Sequence, residues 1–265
     1  MIERTLLIIA MLTVTSSAQA VWDVGAGLED YQWKEYPEGV PGTPKESGGR
    51  SALFIDWTQE ADRGAMFAWR AKLYGGTVNY DTFVIGTNAP VSTKTDYSGA
   101  VSEGQFFYRN NIGSYRLDYL GGIGSDIWRR RIRNPGGDQI EDYSILFLRA
   151  GLRLARSRYE PGFHGELGIK YPVSTNENAH LTDSYSTNGY PFTSNPSLSP
   201  KGAISGYAEI GYRINSRFDV LGYYDSWRFK RSDNVTVTDT SGAAFWVWQP
   251  TSNMDALGVK LLVSF

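Results

Sequence analysis

The sequence predicts an all-β chain, folded as an up-and-down antiparallel barrel of about ten strands that crosses a membrane. Three observations carry this. Apolar and polar residues alternate along segment after segment, the period at which a strand presents opposite faces. The links between segments alternate between short and long. The composition suits strands: aromatics reach 14%, with 17 Tyr, 8 Trp and 29 Gly, and no segment past the leader approaches the roughly 18–20 continuous apolar residues of a spanning helix.

Met1 to Arg4 is a short polar start, Leu6 to Leu12 is apolar, and Ala18-Gln19-Ala20 is a small-x-small end. Together they read as a secretory signal peptide over residues 1–20, leaving 21–265 as the barrel. The alternating segments then fall near 22–33, 49–58, 64–80, 97–109, 113–129, 142–156, 162–172, 202–214, 217–231 and 254–265. In the last of them Leu257, Val259, Leu261, Val263 and Phe265 share one face, and Ala256, Gly258, Lys260, Leu262 and Ser264 the other. Most segments reach the nine to eleven residues, roughly, of a transmembrane strand, and an even count (eight and twelve being the neighbouring ones) puts both ends on one side. The links at 59–63, 110–112, 157–161 and 215–216 are tight. Those at 34–48, 81–96, 130–141, 173–201 and 232–253 are long and rich in Pro, Gly, Ser, Thr and Asn, as solvated loops on one side of a membrane should be. Trp22, Tyr115, Phe163, Phe218 and Phe265 are expected in a girdle on the turn side, and Trp33, Trp128, Trp227, Trp246 and Trp248 in one on the loop side.

Lys and Arg (26) nearly balance Asp and Glu (28), so no nucleic-acid partner is expected. The absence of Cys excludes disulfides, thiol catalysis and Cys-based zinc sites, and two histidines, His164 and His180, make a multi-His metal centre unexpected. No cofactor or metal is therefore predicted. By the alternation, the inward face carries charges that nearly cancel, among them Arg116, Asp118, Arg149, Arg153, Glu166, Glu209, Arg213, Arg217, Asp219 and Lys260. An eight-stranded barrel is just filled by side chains and open porins need about sixteen strands, so these residues are expected to form an ion-pair network across a narrow lumen. A slender pore for small solutes is the alternative. His164 is expected inside, beside Glu166. Gly121-Gly122-Ile123-Gly124 lies within a strand pattern, where Gly makes room for bulky neighbours.

Arg129, Arg130, Arg131 and Arg133 fall where the fifth strand leaves the membrane, and Arg228, Lys230 and Arg231 at the end of the ninth. Guanidinium groups fork onto phosphate, so these residues are candidates for lipopolysaccharide binding.

The Ala18-Gln19-Ala20 leader end and the alternating final strand closing on Phe265 resemble Gram-negative outer-membrane β-barrel proteins. That resemblance implies a place in the cell outer membrane, contact with its lipid, and handling by the barrel-assembly machinery, with Phe265 as the assembly signal. The strand and loop layout is also similar to the ten-stranded omptin proteases. In that family an Asp-Glu-His segment of the fourth outer loop and an Asp pair across the cleft activate water. The matching stretch here is Asn178-Ala179-His180, which keeps only the His. With Asp183 nearby and Asp81 or Asp96 in the second loop, the catalytic candidates are His180, Asp183 and Asp96. The departure at Asn178 favours a non-enzymatic barrel with binding loops over an omptin-like hydrolase. The sequence names no solute, ligand or oligomeric state.

Overall fold

In a computed structural model, residues 19–39, 42–83, 89–134, 137–184 and 192–265 are described. Most of the expected signal peptide lies outside them, and the first strand starts at Gln19, ahead of the expected mature start at Val21. Gln19 and Ala20 continue the pairing by facing Glu60 and Gln59.

The strands are β1 (Gln19–Tyr36), β2 (Lys45–Glu60), β3 (Gly64–Phe83), β4 (Pro90–Ile112), β5 (Tyr115–Ile132), β6 (Gln139–Ala155), β7 (Gly162–Ala179), β8 (Ser197–Leu198), β9 (Lys201–Gly202), β10 (Ser205–Arg213), β11 (Phe218–Lys230), β12 (Val235–Thr238), β13 (Ala244–Val247) and β14 (Thr251–Ser264). One short helix, α1, spans Leu181–Ser184. β1 to β7, β10, β11 and β14 pair with their neighbours in sequence order, and β14 pairs back onto β1, closing a ten-stranded antiparallel barrel. Closure removes the free sheet edge that hydrocarbon would not tolerate. At the seam the Phe265 amide donates to Trp22 at 2.9 Å, so the terminal residue is zipped to the first strand. β12 and β13 form a separate hairpin in the last outer loop.

The turns are short on one side. Gly113 takes φ +61° between β4 and β5, and Gly64 takes φ +99° where β3 begins; both lie in the left-handed region that favours glycine. Between β10 and β11 the Asn215 carbonyl oxygen accepts from the amides of Arg217 and Phe218, an Asx turn. On the opposite side most strands run further than expected, so that Asp96, Arg130 and Arg131 are strand residues rather than loop residues. Their outward faces become polar there, which is why the apolar pattern ends before the pairing does.

Outward residues form an apolar band, with Leu28 and Ile210 each 67% exposed and Leu257 63%. Trp22, Tyr115, Phe163, Phe218 and Phe265 are exposed at its turn-side edge. The loop-side girdle is different. Trp33, Trp128 and Trp227 are 1%, 3% and 4% exposed and point into the barrel, because each lies on the inward parity of its strand. Trp246 sits on the β12–β13 hairpin, not on the wall. A register shift between Leu146 and Phe147, opposite Pro172, swaps the parity of the upper part of β7. Proline has no amide to donate, and a bulge is where a strand tolerates it.

Candidate functional site

The interior is filled in layers. At the turn end, Arg158 reaches from the β6–β7 turn to Asp23 and donates to Ser264 Oγ at 3.0 Å, tying the turn to the seam. Arg109 forks onto Asp118 at 2.8 and 2.9 Å, and Arg116 reaches Glu60 at 3.3 Å. In the middle, Glu166 accepts from Arg70 at 3.0 Å, from Arg153 at 2.8 Å and from Arg149, which also holds Glu103 at 2.9 Å. Lys260 pairs with Glu209 at 2.8 Å, and Asp219 with both Arg213 at 3.0 Å and His164 at 2.8 Å. Thus the inward residues named from the alternation meet across the lumen. One does not sit as expected, Arg217, which is exposed at a turn; His164 lies inside and bonds to Asp219. Tyr207 lies under Arg149, whose Cζ is 3.5 Å from the ring centroid, and Gly151 and Gly168 leave the space for that ring. A cavity of about 90 Å³ remains beside Asp56, Arg70 and Lys260, polar-lined and roomy enough for several waters.

Above this lies an aromatic layer. Trp128 stacks on Tyr143 with centroids 4.7 Å apart, Trp33 meets Tyr143 edge-on at 5.4 Å, and Phe147 meets Trp227 at 5.1 Å. Arg50 is caged by Tyr31, Tyr74 and Tyr97, with Cζ 3.6 Å from the Tyr31 centroid, and pairs with Glu29.

At the loop-side mouth, Arg130 is 2% exposed and pairs with Glu35, Glu46 and Glu141, each at 2.9 Å. Arg130 is therefore removed from the lipopolysaccharide candidates: its parity points inward, and its guanidinium is spent on glutamates. Glu177, 1% exposed, stands beside this group. Burial pushes the Glu177 carboxyl well up, and neighbouring Glu141 adds to it. Burial also raises the Glu141 carboxyl, against the pull of Arg130.

Outside the mouth the other arginines point away from the axis, each onto a carboxylate. Arg129 forks onto Asp142 at 2.7 Å through both nitrogens, Arg131 holds Asp138 at 2.6 Å, and Arg133 forks onto Asp96 at 2.8 and 2.7 Å. These bonds hold Asp142 and Asp96 below the usual carboxylate range. Arg228 pairs with Asp255 at 2.6 Å, Lys230 is exposed, and Arg231 lies over Trp248 at 4.8 Å.

His180 joins the outer rim. Its Nε2 lies 2.9 Å from Asp142 and its Nδ1 3.6 Å from Asp183. Asp96 is not part of this group; it belongs to β4, with β5 between it and Asp142 on β6. Asp81 bonds to Ser92. Sequence reasoning missed Asp142 as the His180 partner, and Glu46, Glu141 and Glu177 as the acidic mouth. No group of three or more His, Asp or Glu among the described residues is arranged to hold a metal ion.

No protein-family model matches the sequence, and no curated protein matches it. The structure is similar to the outer membrane protease OmpT of Escherichia coli, with 12% identity, 95% of this chain and 98% of that chain covered, and a TM-score of 0.56. It also aligns with the transport unit of the autotransporter AIDA-I of Escherichia coli, at 10% identity, 97% and 94% coverage and a TM-score of 0.49. With its closed ten-stranded wall and apolar outer band, the chain has the fold of Gram-negative outer-membrane β-barrel proteins and is similar in layout to the omptins.

Proposed function

We propose that this outer-membrane barrel is non-enzymatic, with a lumen shut by its own side chains and outer loops that serve as a binding surface. The observation behind this reading is the knot at Glu166, where arginines from β3 and β6 meet a carboxylate on β7. A solute would have to part these pairs and then the aromatic layer above them. Separating buried partners costs several kcal/mol, roughly 3–5 when one is removed, so passage is limited to water and very small solutes. Planar-bilayer recording of the purified protein tests it: no stable conductance is expected, and a large, steady one overturns the closed lumen.

The contact between His180 and Asp142 favours a second reading, an omptin-like hydrolase acting from the loop face. Against it, both ring nitrogens of His180 face carboxylates, and both oxygens of Asp142 are bonded to Arg129. A general base needs a free nitrogen directed at the water it deprotonates. Cleavage of basic peptides by protein in detergent with lipopolysaccharide, lost in His180→Ala, is the result that would establish this second reading.

Lipopolysaccharide binding by Arg129, Arg131, Arg133, Arg228 and Lys230 remains part of the proposal. Phosphate would have to compete with Asp142, Asp138, Asp96 and Asp255 for the four arginines. Unchanged binding after replacing Arg129, Arg131 and Arg133 together by alanine removes it. The signal peptide and recognition of Phe265 by the assembly machinery belong to the same proposal, and deletion of Phe265 should leave unfolded precursor.

A further inference from the structure

Inside the membrane band the Lys and Arg of the lumen nearly match its Asp and Glu in number; at the mouth they do not. Glu35, Glu46 and Glu141 share Arg130, and among the described residues no cation pairs with Glu177. Glu46 further accepts from Thr95 at 3.0 Å and from Tyr97, and Glu35 from Gln249 at 3.2 Å. Tyr80 faces Arg130 from β3, its ring centroid 5.9 Å from Cζ. Among the described residues Glu177 is faced by the Tyr143 hydroxyl, whose one proton goes to Glu141 at 3.1 Å, and Glu177 Oε2 is buried with no partner. A proton neutralises a carboxylate so enclosed without needing further space. An ionised carboxylate so enclosed is far more costly than a protonated one.

Glu177 also lies where the loop-side cover joins the wall. β8 pairs with β7 through Glu177 to Leu198 and Asn178 to Ser197, and the Ala179 amide donating to Pro196 at 3.3 Å and Ser197 Oγ bonding Asn176 at 3.0 Å extend this short ladder. Above, Leu181 of α1, Leu198 and Val237 of β12 pack together with Ala179. A ladder this short is the kind of element that opens locally at small cost. We propose that protonated Glu177 latches this cover, and that its ionisation releases β8 and α1 and uncovers the acidic mouth.

The sign follows from linkage. A carboxyl raised in the closed state gives its full stabilisation below its ordinary value of 4.5, and this is lost as pH rises through the raised value. The cover should therefore be shut in acid and loosened in alkali. Each unit of upward shift corresponds to about tenfold in the ratio of open to closed forms.

The inference rests on the closed-mouth part of the proposed function, but its test reads the cover and not conductance, so either can fail alone. The chain has no cysteine. Leu198→Cys, at a position 3% exposed, reports opening by its rate of labelling with a methanethiosulfonate reagent. Ser241→Cys, exposed in the hairpin, corrects at each pH for thiol ionisation. The corrected rate should rise at least tenfold from pH 5 to pH 9, and should stay low and flat when Glu177→Gln is added. A flat rate with Glu177 intact, an equal rise in Glu177→Gln, or a high rate at all pH in Glu177→Gln overturns the latch. If Glu177→Gln does not fold, Glu141→Gln replaces it. By removing the charge beside Glu177 it should shrink the rise, and an undiminished rise overturns the proposal.

Discussion

Replacing Glu166 by alanine removes the acceptor shared by Arg70, Arg149 and Arg153 and leaves three guanidinium groups facing one another. Removing one partner of a buried ion pair costs about 3–5 kcal/mol when the survivor is left without a partner. Here each survivor has a second, mostly poorer one: Arg149 keeps Glu103 at 2.9 Å, Arg153 has Asp118 at 3.7 Å, and Arg70 has Glu209 at 4.0 Å. Arg70 also retains 20% exposure to lumen water. These alternatives bring the expected loss to about 2–4 kcal/mol. Glu166→Gln keeps the shape and one acceptor oxygen, and should cost about 1.5–3 kcal/mol, the range of a hydrogen bond to a charged group. In a double-mutant cycle with Arg153→Gln the two losses should fail to add by about 1–3 kcal/mol. The assay is reversible denaturant unfolding in detergent, followed by tryptophan fluorescence and by heat-modifiable gel migration. A loss below about 0.5 kcal/mol together with additivity within that limit would refute the reasoning. The lumen charges would then be solvated singly, and the network would hold nothing together.

Other consequences are smaller in scope. Trp128→Ala removes the ring stacked on Tyr143, and should cost about 3–5 kcal/mol and raise the rate of brief conductance events in bilayers. Gly124→Val should destabilise by about 1–3 kcal/mol or more in the same unfolding assay, since a Cβ there would lie 2.5 Å from Phe147 Cζ and 2.8 Å from the Ser102 carbonyl oxygen. Asp142 responds to pH opposite to Glu177. Its carboxyl is lowered below 3.8 by the Arg129 bonds, so its contribution is present above that value and lost as pH falls through the lowered one. Protease cleavage near His180 should rise on acidification below about pH 4 and lose this dependence in Asp142→Asn.

The wall of the barrel was legible because one physical rule sets it: the outside must be apolar and the inside must not. Leu257 to Phe265 display that rule, and the tight turns at Gly113 and Asn215 display the chemistry of connection. The errors arose where residue type was weighed above parity. Trp128 and Arg130 share an inward parity that Ile123 and Ile127, both outward, already implied, and Trp33 stands in the same relation to outward Leu28. Counting along the strand would have placed all three inside. The upper part of β7 was not recoverable in this way. Tyr171 faces out below the irregularity opposite Pro172, and His180, of the other parity, faces out above it. The approach of His180 to Asp142 depends on that one-residue slip, and nothing in the alternation announces it. Nor does spacing reveal that Glu35, Glu46 and Glu141, on three strands, converge on one arginine beside Glu177.

The balance of charge along the axis indicates where such a barrel can act. A polar interior within hydrocarbon must be satisfied by the protein itself, and longer Arg, Lys and Glu side chains let ten strands close a lumen that is slightly too wide for apolar side chains alone. Central carboxylates there are braced by more than one cation, Glu166 by three arginines and Asp219 by Arg213 and His164. This interior is a scaffold, and a change in any one pair is resisted by its neighbours. At the mouth the constraint is relaxed, since the wall has left the membrane and the cover joins it through the short β8 ladder and a few neighbouring bonds. An excess of carboxylates over arginine would be a pure cost if the mouth had only to stay closed. Replacing Glu177 by leucine should therefore make the cover more stable at neutral pH, by about 1–3 kcal/mol, the cost of a buried unsatisfied group. Amide exchange at Leu198, slowed in that variant, measures it. An unchanged or faster rate would mean that the glutamate stabilises the closed form by contacts other than those described.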